Sequence, residues 1–423
     1  MRSRRQLHNH RAKDWRLVSD RPKKQRSALS MLIAITVLLA PLVGILVNRS
    51  ASSADAASTP EAITSEPTPS GIEVSYPIQL PTGYETPTAI LGTAEGLWAF
   101  AQGIQNGSPA ESLFYWSDSS SKLTTYPINT SNISGLRAGI NTPIVLDNSG
   151  NVWLGLNSTL VELDPTSGTT SVLPLPDVST GSSGSGLPNL DPAAQAAGVT
   201  PGKLAGVEAL ANGPGGSIVV GRFGSTELQF VNPTTLAISD AALPNNTVLI
   251  GQGVTDLASN SDGTDVAAAL YNGDGTHELG QYVRGGWTVQ TTSCAANTVS
   301  EVNGQLVVGG PSCVEETSVG GDATSAATLS SITATGLGQA SWGISTSSSS
   351  LIVCLPQDMA LISGMGQTDF SLGTSIPGPS VGSPAVSNSQ VNVEPLALTT
   401  GGPNMTWFVP DAGQNATIGL IST

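Results

Sequence analysis

His277 and Glu278 stand side by side in the segment Asn272–Glu278, which reads Asn-Gly-Asp-Gly-Thr-His-Glu. An imidazole next to a carboxylate is the pairing that most readily moves a proton near neutral pH. His277 is also the only histidine beyond His10, so any general base of that kind falls on it. Five further polar residues occur in turn-like contexts: Arg222 in VVGRFGS, Asp274 beside His277, Glu315 and Glu316 in CVEET, and Asp411 in VPDAGQ. Arg222 could hold an anion through two parallel hydrogen bonds. Asn260–Asp265 and Asn272–Glu278 carry oxygen ligands at short spacing, as a Ca²⁺ or Mg²⁺ site would, but neither has the twelve-residue calcium-loop pattern. Both are read as hairpin turns, and no cofactor is expected.

Other chemistries are excluded by what is missing. The chain has no Gly-x-Ser-x-Gly elbow, no phosphate loop, no His-x-x-x-His pair and no Cys-x-x-Cys. Its three cysteines, Cys294, Cys313 and Cys354, fall in the C-terminal part of the sequence. Cys294 and Cys313 are expected to pair, closing a loop worth about 3 kcal/mol in the chain-entropy model. Cys354 lies in the apolar run LIVCLP and reads as a buried thiol.

The elements that position these groups follow from charge and periodicity. Residues 1–26 hold ten Lys and Arg against two acids, whereas residues 50–423 hold five basic residues against 29 acids. Between them Ser27–Asn48 is uncharged and apolar over 22 residues, the length of a membrane-crossing helix. The basic flank places residues 1–26 in the cytoplasm, the bilayer around residues 27–48, and the rest outside the cell. The alternative is secretion after cleavage near Ala56. Residues 49–71, rich in Ser, Ala, Thr and Pro, read as a flexible linker. The acidic, lysine-poor remainder has nothing to neutralise phosphates, so nucleic acid is excluded as a partner.

From about Gly71 the chain repeats. The clearest copy is Thr142–Pro176, TPIVLDNSGNVWLGLNSTLVELDPTSGTTSVLPLP, in which alternating strands are separated by Asp- and Gly-bearing turns. Second-strand markers fall near Trp98, Trp153, Val219, Ala267, Val307, Ile352 and Trp407. Only 11% of residues are charged, and 48 Gly and 28 Pro disfavour long helices. The period suits four-stranded propeller blades. The expected fold is all-β: a seven-bladed β-propeller over residues 72–423, with six or eight blades as alternatives. The last copy lacks an outer strand, and Gly71–Leu80 is spare. That segment is expected to complete the last blade and close the ring.

The stretches NSGNVWLGL…STLVELDPTSG and PLALTTGGPNMTWFVPDAGQNATIGLIS resemble the blade motif of the streptogramin lyase (virginiamycin B lyase-like) propellers. The resemblance covers the repeat region and none of residues 1–70. It implies the propeller, and for an enzyme of that family a histidine base with acidic residues and Mg²⁺ on one face. The paired arrangement of that family is absent here, and no catalytic position carries over. The candidate ligand face therefore comprises Arg222, Asp274, His277, Glu278, Glu315, Glu316 and Asp411, together with the loops Gly103–Glu111 and Asp177–Lys203. The sequence reading is a monomeric, membrane-anchored, extracytoplasmic module that binds a protein, peptide or glycan without catalysis. A lyase-like enzyme acting on a small cyclic ester and an extracytoplasmic sensor are the alternatives.

Overall fold

In the central copy Val152–Leu156 is buried at every position, whereas the later strand Thr169–Pro174 alternates between half-buried and exposed. A strand covered on both faces must be apolar throughout, and one covered on a single face need only alternate. The burial pattern therefore describes sheets packed face to face near an axis, with their outer strands reaching solvent. The computed structural model describes residues 71–129, 142–176, 206–222, 225–244, 253–260, 263–272, 276–293, 298–302, 305–310, 313–318, 330–332, 344–347, 350–354, 359–363, 366–370, 372, 395–402, 404–410 and 416–423. The expected cytoplasmic tail, membrane helix, linker and Asp177–Lys203 loop lie outside these residues. No helix among the described residues is long and apolar enough to cross a membrane.

The described residues form seven four-stranded antiparallel sheets, numbered here in chain order. Sheets 1 to 6 run outward in sequence order, and all seven marker residues lie on second strands. The first strands touch in succession around a circle: Ala89–Thr93, Ile144–Leu146, Val207–Gly213, Gly253–Ser259, Thr298–Val302, Ile344–Ser347 and Pro395–Thr400, which returns to Ala89–Thr93. This is a β-propeller. In sheet 7 the outer strand is Glu73–Gln79, which pairs with Thr417–Ser422 from Glu73–Ser422 to Gln79–Thr417. The Leu80 amide extends the seam to the Ala416 carbonyl at 2.8 Å.

Gly103–Glu111 differs from expectation. Gly96–Gln105 and Ser108–Ser117 pair along their whole length, so the segment is an extended hairpin rather than a loop. The Tyr84–Gly103 bridge and the Gln105 side-chain amide on the Thr82 carbonyl, at 2.7 Å, hold it to the chain before sheet 1.

Turn chemistry fixes each sheet locally. Asp147 Oδ1 accepts the amides of Ser149 and Asn151 at 2.8 and 2.9 Å, and Oδ2 accepts the buried Trp153 Nε1 at 3.0 Å. One carboxylate thus shapes the first turn of sheet 2 and anchors the aromatic on its second strand. Asn260 does the same turn-shaping in sheet 4, its Oδ1 accepting the amides of Thr264 and Asp265.

Between sheets 1 and 7 the close approach is of backbone to backbone. Gly92 donates its amide to Thr399 Oγ1 at 2.9 Å, and a Cβ on Gly92 would lie 1.9 Å from the Thr400 carbonyl oxygen. Gly92→Ala is therefore expected to force the two sheets apart at a cost of about 1–3 kcal/mol, as overpacking does. Thermal unfolding should show a lower Tm for this variant. Gly286→Ala is the control, since its Cβ would meet nothing nearer than a carbonyl oxygen at 3.8 Å, and it should unfold near the parent temperature.

Candidate functional site

Arg222, His277 and Glu315 all stand near the junction of second and third strands, in sheets 3, 4 and 5. Arg222 ends the strand Ser217–Arg222 and is only 1% exposed. Its Nη1 donates to the Pro176 carbonyl, at the end of sheet 2, at 2.7 Å, and to Gln229 Oε1 at 3.4 Å. Glu315, 2% exposed in Cys313–Ser318, accepts the Ser293 amide on both oxygens, at 3.0 and 3.2 Å, and also the Ser293 hydroxyl. Both side chains join one sheet to the chain segment leading from or to its neighbour.

His277 opens the strand His277–Val283, and its ring stacks on Tyr271 at 4.8 Å and 30°. Its carbonyl accepts the Thr292 amide at 3.0 Å and the Thr292 hydroxyl at 3.1 Å. Glu278 follows it in the ladder, opposite Leu270 and Thr291. Successive strand residues point to opposite faces, so the pleat separates the two side chains that are neighbours in sequence. The same alternation separates Glu315 from Glu316, which is half-buried opposite Val307. Asp274, Asp411 and Cys294 lie outside the described residues, and so does the expected Cys294–Cys313 pairing. Among the described residues no three His, Cys, Asp or Glu side chains gather as metal ligands.

Two carboxyls that sequence reasoning passed over are perturbed most. Glu208 and Asp256 occupy the first strands of sheets 3 and 4, each at a β-bulge, between Val207 and Ala209 and between Val254 and Asp256. Bulges re-aim side chains that a regular pleat would send elsewhere. Asp256 Oδ1 accepts the Leu257 amide and Oδ2 accepts the Val299 amide of sheet 5, both at 2.9 Å. Removal from bulk water pushes Asp256 up to about 7, against these two hydrogen bonds. The Glu208 carboxyl reaches water but is crowded by protein; that crowding first, and the charge of Asp256 second, push it to about 7 as well. A pair poised there can take up and release protons across the physiological range. The signal was an acid set among the apolar residues of a first strand, in VEALANG and GVTDLAS.

A groove of about 1010 Å³ opens between sheets 3 and 4, with Phe230, Ile238, Asp240, Gln281, Tyr282 and Arg284 among its walls. Phe230 and Tyr282 face each other at 5.4 Å, and Tyr282 meets Trp287 at 5.2 Å. Trp287 Nε1 reaches across to the Ala242 carbonyl at 2.8 Å.

No known protein-family profile matches this sequence, and no curated protein matches it. Solved structures do share the fold. A catalytically inactive virginiamycin B lyase from Staphylococcus aureus, with quinupristin, is 12% identical with a TM-score of 0.56, covering 83% of this chain and 99% of that one. The Mitotic Checkpoint Complex supplies a chain 12% identical with a TM-score of 0.53, over 89% and 99%. The WD40 repeats of RRP9 are 11% identical with a TM-score of 0.50, over 86% and 99%. At such identity the likeness establishes the β-propeller and nothing about chemistry.

The raised carboxyls set a pH dependence. A folded carboxyl titrating near 7 keeps a proton that the unfolded chain releases near 4. Their contribution to stability is therefore greatest below about 4 and is lost as pH rises through about 7. The Tm is expected to rise on acidification from pH 8 to pH 5, and Glu208→Gln should flatten that rise. A parent Tm independent of pH over this window would contradict the assignment.

Proposed function

We propose that this chain is an extracytoplasmic binding module: a ring of seven propeller blades held at the membrane by residues 27–48, through the linker 49–71, and working without catalysis. The observation that carries the reading is the use made of the buried polar groups. Arg222 and Glu315 are engaged in joining sheets, while a wide groove stays open between two of those sheets. A rigid ring that presents recessed surfaces is what an interaction scaffold requires, and propeller neighbours such as a Mitotic Checkpoint Complex chain and WD40 repeats favour the same reading. The partner class remains protein, peptide or glycan, and the excess of acids speaks for partners other than nucleic acid. The lyase alternative would need His277 and Glu278 to act together, and the pleat directs them apart.

Topology is tested by shaving intact cells with proteinase K. The proposal expects loss of the region 72–423 from whole cells, with an epitope placed before residue 20 protected until the membrane is dissolved. Protection of the propeller in intact cells, or its release into the medium without the epitope, would overturn the anchored reading.

A further inference from the structure

The strand Ile238–Ala242 is the outer strand of sheet 3, and its ladder fixes which backbone groups look outward. The Asn232 amide donates to the Ala237 carbonyl and the Leu243 amide to the Thr226 carbonyl, both across the pairing with Glu227–Val231. In an antiparallel ladder hydrogen-bonded and non-hydrogen-bonded pairs alternate. The inward-bonded residues of this strand are therefore Ser239 and Ala241. Ile238, Asp240 and Ala242 turn their N–H and C=O groups away from the sheet.

Ala242 confirms the phase, because its carbonyl is the one that receives Trp287 Nε1 from sheet 4. Ile238 and Asp240 remain, and both line the groove. The Ile238 side chain packs the other way, against the cluster of Trp153, Leu160 and Val231, so what it offers the groove is main chain. Asp240, two residues along, shares that side-chain face. One wall is thus the backbone edge of sheet 3, with Phe230 on the next strand inward of that same sheet, and the opposite wall carries Tyr282 of sheet 4. Asp265, held by Asn260 Nδ2 at 3.4 Å, and the exposed Arg284 are a carboxylate and a guanidinium of the lining on the sheet 4 side. Leu236, 42% exposed and at φ 58°, adds an apolar side chain in a backbone conformation that bulky residues rarely adopt, in the turn next to Ala237.

We propose that this groove takes an extended peptide segment of a partner protein as a fifth strand on sheet 3. Its main chain bonds Ile238 and Asp240, alternate apolar side chains meet Tyr282 and Phe230, and a carboxylate pairs with Arg284. Strand addition of this kind draws affinity from the backbone and selectivity from every second side chain. The edge decides the occupant: outward N–H and C=O groups at Ile238 and Asp240, two residues apart, match the main chain of another extended strand, and exposed Arg284 offers a guanidinium to an acidic side chain on it.

The inference rests on the binding-module reading but fails separately from it, since shaving tests the anchor and the following tests the groove. The full chain in detergent micelles is titrated with a fluorescein-labelled eight-residue peptide alternating valine with threonine and glutamate, and with its lysine-for-glutamate counterpart. Saturable binding of the glutamate peptide is expected, with the lysine peptide at least tenfold weaker. Asp240→Pro removes an outward N–H without breaking a ladder bond, as proline on an edge strand can. It should weaken binding at least tenfold at unchanged Tm. Arg284→Glu, at an exposed position, is the second variant and should reverse the preference between the two peptides. No saturable binding, equal binding by Asp240→Pro, indifference to peptide charge, or displacement by an oligosaccharide such as cellotetraose would each overturn the proposal. So would a dimer of the chain that Asp240→Pro dissolves, because the edge would then belong to a second copy.

Discussion

The antiparallel pairing of Glu73–Gln79 with Thr417–Ser422 is the interaction on which the architecture depends. A row of small sheets stacked face to face leaves an uncovered sheet face at each end of the row. Curling the row brings the first and last sheets together, and sharing one sheet between the two ends of the repeat region locks that contact. Ile78, Leu80, Ile418, Trp407 and Phe114 then enter a single core cluster, so the seam is sealed by apolar burial as well as by backbone hydrogen bonds. Burial of this kind contributes on the order of 1.5–3 kcal/mol per large side chain.

Around the rest of the circle the sheets are joined by a few polar links set in apolar interfaces. Arg222 reaches Pro176, Asp256 reaches Val299, Glu315 holds Ser293, and Trp287 holds Ala242. Each link uses a side chain from one sheet and, in every case, backbone from an adjoining segment. Hydrogen bonds to charged groups such as Arg222 and Glu315 are worth about 1.5–3 kcal/mol each and the neutral Trp287 bond about 0.5–1.5 kcal/mol, and they fix the angle between neighbours, which apolar packing alone leaves adjustable. The consequence for the candidate site is direct. Arg222 and Glu315, whose types suggested ligand chemistry, are engaged in joining sheets, and the accessible recess opens between sheets 3 and 4 beside the Trp287 link.

Much of the frame was legible in the sequence because its signals are local. Asp147, Asn151 and Trp153 sit within one turn and one strand, so a single stretch encodes both the hairpin and the residue that anchors it. The spare strand Glu73–Gln79 was inferred from a repeat that lacked a member, an argument of counting rather than of contact. The site was less legible because its elements are relations between strands. His277 and Glu278 are adjacent as letters but are divided by the pleat. Glu208 and Asp256 come together through bulges that no composition rule announces, and they lie in strands whose other residues advertise only core. The groove is defined by which backbone groups of Ile238 and Asp240 face outward, a property of register that side-chain identity does not carry. Gly103–Glu111 misled for a related reason: Gly, Asn, Ser and Pro suggest a loop, yet pairing with a long partner strand overrode their preference.

The arrangement of the last sheet also bears on how the molecule comes into being. Glu73–Gln79 is the first described strand in the chain, and its partner Thr417–Ser422 is the last. A polypeptide emerging from the ribosome in order must carry that early strand until all of sheets 1 to 6 have been made before its mate exists, with Val74 and Ile78 still seeking cover. Sheets 1 to 6, each assembled from consecutive segments, can form as they emerge, whereas the seventh is a long-range contact formed at the end. The propeller is therefore built progressively but completed in one late event, and until then its two unfinished edges are the surfaces most exposed to misassociation.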